Sequence, residues 1–169
     1  LGADLVIHSA TKYLDGQGRV LGGAVCGAKA LTDEVFKFLR TAGPTLSPFN
    51  AWVIIKGLET LSVRMKAQSA SALELAQWLE AQPRVARVHY PGLASHPHHD
   101  LAKRQMDGFG GIVSVRIKGS FEGAKRFCER LDLFTLAESL GGVESLANHP
   151  AVMTHASIPP ARRAELGIS

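Results

Sequence analysis

Two short apolar runs, Leu5-Val6-Ile7 and Ala24-Val25-Cys26, stand on either side of a polar, glycine-rich stretch. Runs of this length bounded by turn residues predict strands over 5–8 and 24–27, the first of them buried and ending in a polar turn. Thr32, followed by Asp33 and Glu34, predicts a helix start with acidic residues in its first turn. Val35, Phe36 and Leu39 line one side of that helix, and Gly43-Pro44 stops it. Ser47-Pro48 predicts a second start, with Ser47 as N-cap and Pro48 at the first helical position. Residues 49–58 are apolar on nearly every side, which predicts a buried helix. A long helix follows over 60–80, with Leu61, Met65, Ala72, Leu75 and Leu79 on one face and Pro83 beyond its end.

The pattern then changes to strands of period two alternating with amphipathic helices. A strand over 85–90 is stopped by Pro91-Gly92. A short helix over 97–105 leads to Ile112, Val113, Val115 and Ile117, the clearest strand in the chain. A helix over 121–131 and a strand over 133–137 follow, the strand running straight into Glu138-Ser139-Leu140-Gly141-Gly142. This succession predicts an α/β segment followed by a small α+β domain, with a largely antiparallel sheet and helices on one face. The boundary falls at the long helix, which gives domains of residues 1–60 and 61–169.

The chain has 169 residues, 46% hydrophobic and 20% charged, a composition that supports a real core. No apolar run reaches the roughly 20 residues of a membrane helix. The opening Leu1-Gly2-Ala3-Asp4 has neither a basic region nor a leader-like apolar core, so no secretory leader is expected. Cys26 and Cys128 are too few for a disulfide framework and argue for a reducing, cytoplasmic compartment. The net charge of +4 comes from scattered residues with no run beyond Arg162-Arg163. Nucleic-acid binding would need a clustered basic stripe with interleaved aromatics, so it is not expected. The chain opens inside a strand without an initiator Met, and its end completes no element. A segment of a longer polypeptide is therefore expected.

Candidate chemistry concentrates at Ser9-Ala10-Thr11-Lys12. In an extended segment, positions i and i+2 point the same way, so Ser9 and Thr11 would present two hydroxyls to one anion such as a phosphate. Lys12 points elsewhere and reaches another part of the same ligand. An amine kept from water by Ile7, Tyr13 and Leu14 is suited to Schiff-base chemistry. A ligand with both a phosphate and an aldehyde meets these two needs, and pyridoxal phosphate is the common one. The tetrad also reads as an ordinary strand end with a solvated lysine. Gly16-Gln17-Gly18 lacks the third glycine and the strand–turn–helix setting of a dinucleotide fingerprint. His96-Pro97-His98-His99-Asp100 reads as a polar turn capping a surface helix, not a metal site, because adjacent histidines diverge. Ser139-Leu140-Gly141-Gly142 reads equally as backbone that passes close to a ligand or as a plain turn.

Ser9-Ala10-Thr11-Lys12-Tyr13-Leu14 resembles the cofactor-lysine segment of the Cys/Met-metabolism family of pyridoxal-phosphate enzymes. Leu46-Ser47-Pro48-Phe49-Asn50-Ala51-Trp52, Glu138 to Leu146, and His149 to Ala156 resemble the same family in the same order, across essentially the whole chain. The resemblance implies an α/β, fold-type I pyridoxal-phosphate-dependent transferase. Residues 1–60 would be the end of the large cofactor-binding domain, and 61–169 the smaller α+β C-terminal domain. It implies Lys12 as Schiff-base lysine and general base, with Ser9 and Thr11 at the cofactor phosphate. It places Ser139 and the adjoining Leu140 backbone beside the substrate α-carboxylate, Glu138 toward the substrate side chain, and Thr154 near that pocket. His149 and His155 are read as structural.

Synthases and lyases of the family follow the lysine segment with Gly-His-Ser-Asp. Gly16-Gln17-Gly18-Arg19 is instead similar to the O-succinylhomoserine sulfhydrylases. Together with Glu138, this implies γ-replacement on an O-acylhomoserine with sulfide to give homocysteine, in methionine biosynthesis. Cystathionine γ-synthase, cystathionine γ-lyase and methionine γ-lyase activities are the alternatives within the family. The resemblance also implies a homotetramer with active sites shared across dimers. The family's ring-stacking Tyr, pyridine-pairing Asp and glycine-rich phosphate loop would precede Leu1, and its carboxylate-binding Arg would follow Ser169. The 169 residues alone are then not expected to turn over substrate. A non-catalytic binding or assembly domain is the rival from another class, with Lys12 a surface lysine and no carbonyl reactivity.

Overall fold

The computed structural model describes residues 2–168, which form two compact units. The first runs to Ser62 and includes Gly141–Val143; the second comprises Val63–Leu140 and the chain from Glu144 on.

In the first unit, β1 (Leu5–Ser9) and β2 (Gly23–Gly27) pair antiparallel, with Leu5 opposite Gly27 and Ser9 opposite Gly23. The chain between them turns through Ala10–Leu14 and a loop. Helix α1 (Lys29–Ala42) begins three residues before the expected Thr32 cap. The Thr32 hydroxyl instead donates back to the Ala28 and Lys29 carbonyls, and Asp33 pairs with Lys29 one turn earlier at 2.6 Å. Ala28 takes the cap position without a side-chain bond. The helix ends where Gly43 adopts the left-handed conformation (φ 84°). Helix α2 (Pro48–Leu58) starts as its sequence predicts, with Ser47 Oγ accepting from Asn50 N–H at 3.1 Å and Pro48 at the first position.

Burial in this unit departs from expectation. β1 is exposed along its whole length, with Ile7 76% exposed, because the two-stranded sheet leaves the faces of β1 uncovered among the described residues. Only Val53, Ile54 and Gly57 of α2 are buried; Phe49, Trp52 and Ile55 lie open. The buried edge of α2 faces the turn after β1, where Ala10 is also buried.

The second unit holds all but the first two residues of α3 (Leu61–Glu80), the long helix the apolar face predicts. Its buried Ala72 and Ala76 meet Val88, Tyr90 and Leu93, with Leu73, Leu79, Val85, Phe109, Val113 and Val115 packed around them. β3 (Val85–His89) and β4 (Ser114–Ile117) pair antiparallel, with an irregularity between Val85 and Arg87. Helices α4 (His99–Gln105) and α5 (Phe121–Glu129) follow the sequence pattern, and Ser120 caps α5 through Gly123 N–H at 3.2 Å. The largely antiparallel sheet expected here is, among the described residues, divided into separate two-stranded pairs, of which β3–β4 is antiparallel. β5 (Thr135–Leu136) pairs parallel with β6 (Leu146–Ala147), a strand of two residues too short to give a period in sequence. The chain closes with α6 (Pro160–Glu165), also not foreseen. No described helix is long and apolar enough to cross a membrane. Cys26 and Cys128 are both free thiols.

Tyr90 is wholly buried, its ring edge-on to Phe109, and its hydroxyl lies 2.9 Å from the Gly110 carbonyl and 3.2 Å from that of Ser69. One proton serves these two acceptors, so the phenol ties the middle of α3 to the loop before β4. Tyr90→Phe keeps the ring but leaves the part-buried Gly110 carbonyl without the phenol donor. It is expected to cost about 1–2 kcal/mol in urea unfolding; an unchanged midpoint would show that the phenol is not holding the loop.

Candidate functional site

The site in the first unit is built by a change of backbone direction at the end of β1. Ser9 is still extended (φ −74°, ψ 101°). The N–H groups of Ala10 and Thr11 then both donate to the Gly22 carbonyl, at 2.8 and 3.3 Å. Consecutive N–H groups of a strand point to opposite sides, so converging on one acceptor requires the chain to coil. Ala10–Leu14 makes one wide turn, closed by Asp15 N–H to the Ala10 carbonyl (2.9 Å) and Gly16 N–H to the Lys12 carbonyl (2.8 Å). Lys12 itself departs from helical geometry (φ −92°, ψ −119°).

Ser9 and Thr11 are therefore not alternate residues of one extended segment, as the sequence pattern suggested. Their hydroxyls differ in setting. Thr11 Oγ1 accepts the Gly22 N–H at 3.1 Å, and its own proton has only a long contact, 3.4 Å, to the Gly22 carbonyl. That proton can be given to an incoming anion. Ser9 is exposed and its hydroxyl makes no capping bond. Lys12 is half-buried, but not by Ile7, whose side chain lies in solvent. Burial pushes the neighbouring Tyr13 phenol up from its usual value.

Three features of the site were not singled out in the sequence. The first is Gly57 on α2. A Cβ at this position would overlap the Leu14 carbonyl oxygen and lie 2.9 Å from Asp15 Cα, so the helix backbone rests directly on the lysine turn. The second is Asp15, fully buried, whose carboxylate accepts Arg19 N–H at 2.7 Å and Arg19 Nε at 2.8 Å. Burial alone would push this carboxyl up. The hydrogen bonds from Arg19, its charge, and the Gln17 N–H together hold it below the ordinary value. The spacing of opposite charges four apart was the available signal, but the intervening glycines removed the helix in which that spacing is read. The third is the role of Gly141. Its φ is 83°, and a Cβ would stand 2.6 Å from Tyr13 N and 2.8 Å from the Lys12 carbonyl carbon. The sequence read this glycine pair as backbone close to a ligand or as a plain turn; the contact the structure shows at Gly141 is with the Lys12–Tyr13 peptide.

Glu138, Ser139, Leu140 and Thr154 belong to the second unit, and all four are exposed. The first three run in sequence directly into Gly141. Thr154 Oγ1 lies 2.7 Å from His155 Nδ1. His149 is buried against the Phe121 ring, and its backbone N–H lies 3.4 Å from Met153 Sδ. No group of three or more histidine, cysteine or acidic side chains suited to a metal occurs among the described residues.

The turn carries one primary amine, Lys12, with the hydroxyl residues Ser9 and Thr11 just before it in sequence. The donor set fits pyridoxal phosphate: one primary amine for the aldehyde, and the Ser9 and Thr11 protons for the phosphate. Comparison with known proteins gives the same class. The family model described as Cys/Met metabolism PLP-dependent enzyme matches residues 1–169, and the chain belongs to that family. The cofactor of the family is pyridoxal 5'-phosphate.

An O-succinylhomoserine sulfhydrylase of Pseudomonas aeruginosa is 55% identical over 168 residues, covering 99% of this chain and 42% of its own length. A cystathionine beta-lyase of Coxiella burnetii is 53% identical over 171 residues, covering 100% and 44%. The crystal structure of cystathionine gamma synthase from Xanthomonas oryzae pv. oryzae, in complex with aminoacrylate and cysteine, superposes with a TM-score of 0.94 at 45% identity, covering 99% of this chain and 44% of that one. The chain thus spans less than half the length of the relatives it matches. The solved relative supports the fold-type I assignment.

Gly57→Ala forces α2 away from the Leu14–Asp15 backbone. Overpacking of this kind is expected to cost about 1–3 kcal/mol in chemical unfolding, while Gly43→Ala, in open space, acts only through its backbone conformation. Equal unfolding midpoints for Gly57→Ala and the parent would show that the turn does not rest on the helix.

Proposed function

We propose that this chain carries the lysine turn and the C-terminal domain of a pyridoxal-phosphate enzyme that performs γ-replacement on an O-acylhomoserine with sulfide, giving homocysteine. The single observation that carries the reading is Lys12 on the wide turn, directly after Thr11, whose hydroxyl proton has only a long contact, in a chain of this family. Lys12 Nζ is the group that would bond the cofactor's carbonyl carbon, and Ser9 and Thr11 would donate to its phosphate. When bound, the cofactor supplies an electron sink for charge developing at the substrate's α-carbon. Lys12 Nζ is the base that would take and return the substrate's α-proton. Ser139 and the Leu140 backbone are read as the substrate carboxylate's partners, Glu138 as facing its side chain, and Thr154 as lying near that pocket. Residues 1–60 are read as the end of the large cofactor-binding domain and 61–169 as the smaller α+β domain.

The sulfhydrylase assignment is supported by Gly16-Gln17-Gly18-Arg19 and by the 55% identity to the Pseudomonas aeruginosa protein. Relatives of similar identity include a cystathionine beta-lyase at 53%, a cystathionine gamma-synthase at 46% and a methionine gamma-lyase at 48%, so β-elimination, γ-elimination and cystathionine synthesis are the competing activities. A cytoplasmic homotetramer is the proposed setting, supported by the free cysteines and by the exposed Phe36, Phe38, Phe49 and Trp52 of α1 and α2.

Borohydride reduction of the full-length enzyme as prepared, followed by peptide mass spectrometry, is expected to place a pyridoxyl-phosphate adduct on Lys12, and Lys12→Ala to abolish both adduct and turnover. An unmodified Lys12 in intact protein supplied with the cofactor would favour the non-catalytic binding domain. Turnover of O-succinylhomoserine is expected to be faster with sulfide than with cysteine; the reverse preference would assign a cystathionine synthase.

A further inference from the structure

The loop after the lysine turn holds two glycines of left-handed conformation, Gly16 (φ 71°) and Gly18 (φ 64°), with Gln17 between them. Glycine-rich backbone gains little order from its own residues. Here the order comes from the two ends. Arg19 closes back on Asp15 through three bonds: its N–H to Oδ2 at 2.7 Å, its Nε to Oδ1 at 2.8 Å, and its Nη2 to the Asp15 carbonyl at 3.1 Å. The Asp15 side chain has no solvent exposure, whereas that of Arg19 is 36% exposed. This differs from the helix pair Lys29–Asp33, whose side chains are 86% and 56% exposed and which solvent can replace. Asp15 also carries the N–H that closes the turn at Ala10, and its backbone lies against Gly57. The position of the carboxylate is therefore tied to the position of the peptide three residues after Lys12.

We propose that the Asp15–Arg19 ion pair is the positioning device for Lys12, locking the C-terminal side of its turn so that the amine is presented in one orientation to the cofactor's carbonyl. The proposal rests on the reading of Lys12 as the cofactor lysine. Neither Asp15 nor Arg19 is assigned a contact with substrate or cofactor; both act through the turn. Arg19 supplies what a lysine cannot, a planar fork that reaches the carboxylate and the Asp15 carbonyl together. Losing either partner frees the glycine loop, and the amine then samples orientations from which capture of a carbonyl is slow.

The test uses the full-length apoenzyme and pyridoxal 5'-phosphate. The rate of capture is followed by absorbance, and the adduct is located by borohydride reduction and peptide mass spectrometry. Arg19→Gln and Asp15→Asn are each expected to slow capture about tenfold, and to lower kcat with KM changed less than about twofold. The double variant is expected to lose no more than either single one, because both substitutions remove one interaction. Arg19→Lys is expected to recover part of the rate. Arg19→Gln, on a partly exposed side chain, is the variant expected to keep its fold, checked by circular dichroism. A capture rate within about twofold of the parent for folded Arg19→Gln overturns the proposal, whatever happens to its melting temperature. Multiplying losses in the double variant overturn it too. Absence of the adduct on Lys12 in the parent enzyme overturns instead the reading of Lys12 on which the proposal stands, so the two failures are distinct.

Discussion

Asp15 holds a negative charge with none of its surface in water, and the geometry around Lys12 depends on how that charge is met. Removing a carboxylate from water costs several kcal/mol even after relaxation, so an unmet Asp15 would pull its loop outward. Arg19 meets it through side chain and backbone, and the same residue's backbone then fixes where the chain heads toward β2. The exposed pairs Lys29–Asp33, Lys56–Glu59 and Arg162–Glu165 have similar contact lengths, each 2.6 Å, but stand in solvent. Such pairs contribute about 0–1 kcal/mol and constrain little. Burial, not distance, separates the pair that shapes the site from those that decorate helices.

The lysine turn is held from several directions within its unit. Gly22 takes two N–H groups and returns one to Thr11, Gly57 brings α2 against Leu14 and Asp15, and Gly141 lies on the Lys12–Tyr13 peptide. Two of these contacts exist because a side chain is absent. Close backbone approach is a use of glycine that hydrophobic patterning does not register, since it places no apolar residue in the core.

The two units differ in how they bury apolar surface. The second closes a cluster around Ala76 and Tyr90, where α3 crosses the β3–β4 pair. The first leaves β1, Phe36, Phe49 and Trp52 open. Large aromatic side chains in water are costly in proportion to their area, and open faces of this extent on a helix pair and a strand pair are suited to cover by further chain. This bears on the sequence reading as well. The apolar run 5–7 and the nearly all-apolar helix 49–58 were read as buried, and their composition remains that of buried elements even where the described residues do not cover them.

Local signals were legible wherever a residue acts on its own neighbours. Ser47 capping α2, Gly43 ending α1, the amphipathic α5 and the span of α3 follow from capping chemistry and period, which are properties of a few consecutive residues. The Ser9-Ala10-Thr11-Lys12 motif by itself read also as an ordinary strand end, and it was the resemblance of several motifs in order to one family that gave the cofactor class. Tertiary structure decided what those residues do in space. It coiled the chain at Ala10 because Gly22, twelve residues on, captures two successive N–H groups. It paired β5 with β6 in parallel and buried Asp15 under α2. Each of these depends on partners distant along the chain, whose meeting no local period encodes.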